Sequence, residues 1–303
     1  MDQPNPRAYH LRKKENPGEG VRRIVLGRTD RALEGLRRAN TGNEPATEVH
    51  DVRKELKKIR SALRLVRTGL GDKRFKSLNR LYRDAGRELS GARDAQVKAE
   101  TLEALIDQFG DDMPGEETMA WREHLAGEGV TAAANMKEDR TPIVEAIGHL
   151  EKARDKLAGK PIKAKRSDLF DGLDESYVSG REAMGVAAED PSDENFHQWR
   201  KRAKDLWYQQ RIVKKSWEPM IAEAADAAHE LADYLGDHHD LAVLAEDLAT
   251  RDIAAGEKSE IQAVIDRRQE QLADSAFDLG ARIYAEKPKA FDRRMRSYWE
   301  AWR

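Results

Sequence analysis

The chain has 303 residues, of which 36% are charged and 39% hydrophobic, so it is long enough to bury a sizeable core. Its formal net charge of −2 excludes a globally basic protein, and binding of an acidic ligand must therefore rest on local clusters of charge. Cysteine is absent, which excludes disulfides and cysteine-based metal sites. We expect a cytoplasmic protein, because residues 1–10 carry no apolar signal segment and no stretch approaches about 18 consecutive apolar residues.

Apolar residues recur with the period of a helix along nearly the whole chain, and the alternation typical of strands is nearly absent. This pattern predicts an all-α protein. Clusters of Gly, Pro, Asp and Asn separate the helices, and the segment 159–166 is predicted to be an internal linker. In chain order, the predicted helices are 20–40, 46–68, 72–90, 92–110, 116–137, 141–158, 168–188, 193–215, 217–235, 239–254, 258–285 and 288–302.

The two halves of the chain repeat the same sequence pattern in the same order. Residues 50–54 (His-Asp-Val-Arg-Lys) recur at 197–201 (His-Gln-Trp-Arg-Lys), an offset of 147 residues (197 − 50). Residues 89–94 recur at 235–240, an offset of 146 (235 − 89). Because chance matches rarely keep both order and spacing, we infer an internal duplication. The first half is predicted at 1–160 and the second at 161–303, together forming one domain.

The predicted helix that contains His50 has one apolar side and one basic side. A helix turns by about 100° per residue, which places the basic residues in one arc opposite Val52, Ile59 and Leu63. The residues of this first basic face are His50, Arg53, Lys54, Lys57, Arg60 and Arg64. The corresponding face of the second half contains His197, Arg200, Lys201, Lys204 and Arg211.

A third basic face follows on the next helix of the first half. Its members lie at spacings of three and four residues, so they share one side of the helix: Lys73, Lys76, Arg80, Arg83 and Arg87. The second half has no counterpart, because residues 219–233 contain no lysine or arginine.

Such single-signed faces indicate a ligand, because like charges at i and i+4 repel by a few tenths of a kcal/mol. Arg and Lys donate to the oxygens of phosphate groups, and a helix face can meet successive groups of a linear polyanion. Each leading histidine can donate one further hydrogen bond, and its charge would rise if a bound anion raised its pKa. The predicted polyanion site comprises His50, Arg53, Lys54, Lys57, Arg60, Arg64, Lys76, Arg80, Arg83, His197, Arg200, Lys201, Lys204 and Arg211.

These residues lie opposite the apolar sides of their helices. We therefore expect that Arg53, Lys57, Arg200 and Lys204 can be reversed to Glu without disturbing the fold.

The repeated His-x-x-Arg-Lys-x-x-Lys pattern, followed in each half by a Leu-Gly/Ser-x-x-x-Asp element, resembles the CHAD family, the conserved histidine alpha-helical domain. The resemblance covers nearly the whole chain. It implies two antiparallel helical bundles related by a pseudo-twofold axis around a basic central pore or cleft. It also implies binding of inorganic polyphosphate, often in polyphosphate granules, without an established catalytic role. We accordingly expect a stand-alone member that is not an enzyme and has no catalytic residues, cofactor or metal.

The second half departs from the first at two positions of the helix that carries the basic face. Trp207 replaces the basic residue at Arg60, and Tyr208 matches Ser61. His229 stands outside the repeated motifs and looks isolated. The contacts in the second half are therefore left open.

Other functions also remain open. A scaffold that binds nucleic acid or an acidic protein would use the same faces, although aromatic residues for base stacking are few there. A metal-dependent phosphohydrolase of the HD type would use the His-Asp pairs at 50–51 and 239–240. A phosphorelay protein would need one exposed, reactive histidine rather than two in register. Among partners, we expect inorganic polyphosphate and no membrane, with nucleic acid secondary and a homo-oligomer open.

Overall fold

The computed structural model describes residues 7–42 and 45–303, with the side chains of residues 91–94 excepted. Within these residues every regular element is helical, which confirms the all-α prediction. The helices are α1 (Pro17–Thr41), α2 (Pro45–Leu65), α3 (Arg67–Leu70), α4 (Asp72–Glu88), α5 (Gly91–Phe109), α6 (Gly115–Glu138), α7 (Thr141–Ala158), α8 (Arg166–Glu189), α9 (Asp193–Val213), α10 (Glu218–Ala249), α11 (Ala255–Ile283) and α12 (Pro288–Trp302). Short 3-10 turns lie at Gly110–Asp112 and Lys214–Ser216. None of the described helices is long and apolar enough to span a membrane.

Local capping signals set several helix boundaries. The Asn16 side chain accepts a hydrogen bond of 2.9 Å from the backbone N–H of Gly18, and Pro17 supplies the first helical residue of α1. The predicted linker does separate α7 from α8, but it is packed in place. Ile162 and Ala164 are buried, and the carbonyl of Ala164 accepts a hydrogen bond of 3.2 Å from the N–H of Gly18.

The predicted boundary between helices 217–235 and 239–254 is wrong, because α10 runs without interruption through Gly236. The glycine is explained by a tertiary contact and not by a helix end. A Cβ atom at position 236 would lie 3.1 Å from Nη2 of Arg200, so glycine lets the guanidinium approach the helix closely. At the corresponding place in the first half the chain does break, since α4 ends at Glu88 and α5 begins at Gly91.

The two helices that carry the repeated histidine motif, α2 and α9, lie in contact at the centre of the fold. α2 packs against α1 and α4, and α9 packs against α8 and α10. Their apolar sides, which include Ile59 and Trp199, belong to one hydrophobic cluster. Full burial of such a side chain contributes roughly 1.5–3 kcal/mol relative to exposure. Where α2 meets α9, the Ser61 hydroxyl donates to the carbonyl of Asp205 at 3.2 Å.

A second hydrophobic cluster is formed by α5, α6, the C-terminal part of α10 and the N-terminal part of α11. Its buried side chains include Leu102, Trp121, Leu125, Leu244 and Ile261. Both clusters thus contain side chains from before and after residue 160. Burial of apolar surface couples the two parts of the chain, and the division at 160/161 stays a prediction.

The segment that precedes α1 lies across the contact between α2 and α9. The buried Tyr9 donates its hydroxyl to the carbonyl of Lys58 in α2 at 3.1 Å. The N–H of Leu11 donates to the carbonyl of Ile212 in α9 at 2.8 Å. This segment belongs to neither helix, and its hydrogen bonds therefore link α2 to α9.

Candidate functional site

A cleft of about 930 Å³ lies between α2, α9 and α10. Its cationic lining residues are Arg53, Lys54, Lys57, Lys58, Arg200, Lys204 and Arg211. The cleft is also lined by the imidazoles of His50, His197, His229 and His239 and by the carboxylates of Asp233, Asp237 and Asp240. Seven Lys and Arg side chains against three Asp give this cleft an excess of positive charge, although the whole chain is slightly acidic.

Two smaller cavities adjoin the cleft and share lining residues with it. One, of about 260 Å³, adds Arg60, Arg64 and Lys201 to residues such as Lys57 and Lys204 that also line the cleft. The other, of about 300 Å³, lies between α2 and α4 and is lined by Arg53, Lys57, Arg60, Arg83 and Arg87. The three cavities therefore form one connected basic region.

The structure brings together most of the predicted site residues. Twelve of the fourteen line these three cavities. The two exceptions, Lys76 and Arg80, are exposed on α4. The side chains of Arg93 and Asp94, from the second repeated motif, lie outside the described residues. Assignment of any of these residues to a ligand stays a prediction.

Lys204 is a half-buried cation with other cations beside it. Burial, reinforced by Arg200 and Lys57, lowers the pKa of its ammonium group to about 7, while Asp233 and Asp240 oppose the shift. Across the described part of the chain, the Lys204 ammonium forms no hydrogen bond or ion pair. An anion in the cleft would favour the protonated form of this side chain.

His197 packs against His239, with ring centroids 4.1 Å apart and planes tilted by 34°. Burial, together with the neighbouring His239, Lys201 and Arg200, lowers the pKa of His197 to about 4. Burial also lowers the pKa of His239. Nδ1 of His197 is buried and has no hydrogen-bond partner among the described residues. At neutral pH His197 is therefore an uncharged hydrogen-bonding group, and only a large rise in its pKa would make it a cation.

Two of the predicted site residues also hold the fold together. Nη1 of Arg53 donates to the carbonyls of Leu89 and Ser90, at 2.8 and 3.0 Å, where α4 ends. Nη1 of Arg64 donates to Oδ1 of Asp205 at 2.7 Å, and the Asp205 side chain is only 8% exposed. These contacts count against the expectation that Arg53 can be reversed without disturbing the fold, because Glu would face two carbonyl oxygens there.

Helix α10 contributes contacts that the sequence did not predict. Nη1 of Arg200 lies 3.7 Å from Oδ1 of Asp240. His229 is not isolated, since it lines the cleft and its Nδ1 lies 2.5 Å from Oδ2 of Asp233. Helical spacing is the signal that finds them, because residues 229, 233, 236 and 240 follow one another at intervals of three or four on one face of α10.

Aromatic rings replace part of the basic face in the C-terminal part of α9. Trp207 stacks on Tyr208 with ring centroids 4.3 Å apart, and His229 lies edge-on to Trp207 at 3.7 Å. The guanidinium carbon of Arg211 lies 5.6 Å from the centre of the Trp207 ring. These rings pack against one another and against Arg211, so one face of the Trp207 ring is already covered by Tyr208.

The His-Asp pairs at 50–51 and 239–240 do not gather a metal-binding set in the part of the chain that is described. There, no group of three or more His, Asp and Glu side chains is arranged to hold a metal ion.

The fold and the cleft together define an all-helical protein in which two motif-bearing helices share a cationic cavity. The sequence profile of the CHAD domain matches residues 24–249, and the chain belongs to the CHAD-domain family, which confirms the resemblance.

Two solved structures share the fold. PptA from Streptomyces chartreusis aligns with a TM-score of 0.60 at 14% identity, covering 90% of this chain and 100% of that one. The crystal structure of the CHAD domain from the plant Ricinus communis aligns with a TM-score of 0.60 at 18% identity, covering 100% of this chain and 98% of that one. At such identities the likeness establishes the fold alone. No match was found among the curated proteins.

Proposed function

We propose that the protein binds inorganic polyphosphate in the cleft between α2, α9 and α10. The observation that carries the proposal is the environment of Lys204, a half-buried ammonium that has Arg200 and Lys57 as neighbours and a pKa of about 7. A chain of phosphate groups supplies densely spaced acceptor oxygens, which match the lysine and arginine donors of this cavity. The polyphosphate binding implied by the CHAD resemblance supports the same ligand.

The energetic argument follows from the Lys204 pKa. Its shift from 10.5 to about 7 corresponds to on the order of 5 kcal/mol by which the protonated form is less stable in the free cleft than in water. Placing these cations close together does not stabilise the folded protein. A bound polyanion would restore part of that free energy by stabilising the protonated form. On a helix face that is simply solvated, the cations are not destabilised in this way, and a bound anion would have no such free energy to restore.

The proposal includes the internal duplication and the pseudo-twofold arrangement around a basic centre. Its support is that α2 and α9 bear the same motif, contact each other and both line the cleft. In addition, α2 packs between α1 and α4 as α9 packs between α8 and α10. A linear anion in the cleft would then contact equivalent residues of the two halves, such as Lys57 and Lys204.

Binding without catalysis, in the cytoplasm and at polyphosphate granules, is part of the same proposal. The cavity gathers hydrogen-bond donors suited to holding a polyanion. The packed rings of Trp207 and Tyr208 favour polyphosphate over nucleic acid, because bases need open aromatic faces on which to stack. An acidic protein is disfavoured as a partner, because a cavity of about 930 Å³ suits a chain of small anionic groups better than a folded surface.

The test is a titration with long-chain polyphosphate at physiological salt, followed by competition with double-stranded DNA at matched phosphate concentration. We expect tight polyphosphate binding that DNA does not displace. The logarithm of the affinity should fall linearly with the logarithm of the salt concentration, as counterion release requires. Absence of polyphosphate binding, binding that is insensitive to salt, or efficient displacement by DNA would each overturn the proposal.

A further inference from the structure

We infer that polyphosphate chains longer than the cleft leave it along the outer face of α4, so that the protein favours long chains over short ones. This inference rests on the proposed function. The outer face, here called the α4 ridge, consists of Lys73, Lys76, Arg80, Arg83 and Arg87.

The α4 ridge is continuous with the cleft. Arg83 and Arg87 line the cavity between α2 and α4, which shares Arg53 and Lys57 with the cleft. Arg60 also lines this cavity and spans the two helices, since its Nε donates to an α4 side chain, Oδ1 of Asn79, at 3.0 Å. A polyanion can therefore pass from the cleft to α4 without leaving cationic surroundings.

The α4 ridge is also long. Its members lie at spacings of three and four residues, and the fourteen steps from Lys73 to Arg87 span about 21 Å at 1.5 Å per residue. The ridge lies on the side of α4 opposite its buried residues, which are Phe75, Leu78, Tyr82 and Ala85. It therefore offers a linear series of cations to a linear series of phosphates.

The cations of the ridge are mostly without counter-charges. Arg83 pairs with Asp84 at 2.8 Å, but no acidic side chain in the described ranges pairs with Lys73, Lys76, Arg80 or Arg87. Exposed arginines elsewhere behave differently: Arg37 pairs with Glu151, and Arg122 with Glu103. Like charges in adjacent turns destabilise a helix, so this face differs from an ordinary solvated one.

The opposite wall of the cleft would repel the same chain. There, α10 presents Asp233, Asp237 and Asp240 to the cavity. Because the acidic wall belongs to the second half and the basic ridge to the first, the exit is on the α4 side. The path of the ligand is asymmetric even though the motif is repeated.

The experiment compares tripolyphosphate with long-chain polyphosphate on two matched variants. The ridge variant is Lys73→Gln, Lys76→Gln and Arg80→Gln, which spares every residue that lines the three cavities. The control variant is Lys287→Gln, Lys289→Gln and Arg293→Gln. It also removes two lysines and one arginine, but from exposed positions in and just before α12. Thermal melts of both variants check that the fold is retained.

We expect the ridge variant to bind long-chain polyphosphate about tenfold or more weakly than wild type, with a log–log salt slope smaller by about 3. Its affinity for tripolyphosphate should be unchanged, and the control variant should match wild type for both ligands. The inference is overturned if the ridge variant binds long chains as wild type does, or if both variants lose affinity equally. It is also overturned if the ridge variant loses tripolyphosphate binding to the same extent. If wild type binds neither ligand, the proposed function itself fails.

Discussion

Among the side chains of the cleft, Lys204 has the surroundings that most strongly indicate a binding site. Its neighbours Arg200 and Lys57 carry the same charge, and burial removes much of the water that would otherwise stabilise the ammonium. Residues that lower the stability of a free protein are typical of binding sites, where stability is traded for function. Sequence placed Lys204 on the correct face of α9, but burial depends on how α2 and α10 pack around it and could not be read from helical spacing.

Replacing Lys204 with Met should stabilise the free protein and weaken binding. We expect unfolding free energy to rise at neutral pH by at least ~1 kcal/mol and by up to about 4 kcal/mol, because the variant removes a half-buried charge while keeping apolar volume. This gain in unfolding free energy should be largest below pH 7, where Lys204 of the wild type is protonated in both the folded and the unfolded chain. It should shrink as pH rises and vanish near about pH 10, because the folded chain loses this proton above pH 7 whereas the unfolded chain keeps it up to the ordinary pKa of lysine. Chemical denaturation across this pH range measures it, with the exposed Lys201→Met as control. A Lys204→Met variant less stable than wild type at pH 7 would refute this argument.

Binding of polyphosphate should be coupled to protonation of Lys204. The free ammonium has a pKa of about 7, and the bound anion raises that pKa, so binding at pH 8 should take up about one proton. Affinity should consequently fall as pH rises above 7, by up to about tenfold per pH unit. Calorimetry in buffers of different ionisation enthalpy measures the uptake. The same uptake in Lys204→Met would assign the proton elsewhere; His197, with its pKa near 4, is not expected to supply it.

At the scale of single elements, helical phase was sufficient to predict the basic faces. The side on which Arg53 or Lys57 lies relative to Val52 depends only on local helix geometry, so it follows from sequence. The packing role of Gly236 does not, because it depends on the Arg200 guanidinium of another helix. For the same reason, sequence could not distinguish a cation that faces solvent from one that caps a neighbouring helix.

Arg53 provides the test of that distinction. It joins α2 to the end of α4 through two carbonyl groups, so Arg53→Glu should lower the unfolding free energy by about 2 kcal/mol through lost charge-assisted hydrogen bonds. Lys201→Glu changes charge equally at an exposed position and should alter stability by about 0.5 kcal/mol or less. Urea denaturation of the two variants compares them directly. Equal stability of both would show that the Arg53 contacts contribute nothing to the fold.

At the scale of the whole molecule, the cleft exists only because the two parts of the chain meet. Its walls come from α2 before residue 160 and from α9 and α10 after it, and the ion pair of Arg64 with Asp205 lies where α2 and α9 touch. Sequence predicted that the motif occurs twice and that both copies carry cations. It could not predict that acidic residues of α10 would share the cavity, because that requires the tertiary arrangement.

The central claim is that cations of both halves hold one polyanion in this cleft. Its most direct measurement is the affinity for long-chain polyphosphate of a variant with Lys54, Lys57 and Lys201 all changed to Glu, set against one with Lys287, Lys289 and Arg293 all changed to Glu. Both sets are exposed and alter net charge equally, but only the first lines the cleft and its adjoining cavity. We predict that the first variant folds and loses polyphosphate binding while the second binds as wild type does. A cleft variant that binds as tightly as the α12 variant would contradict the account.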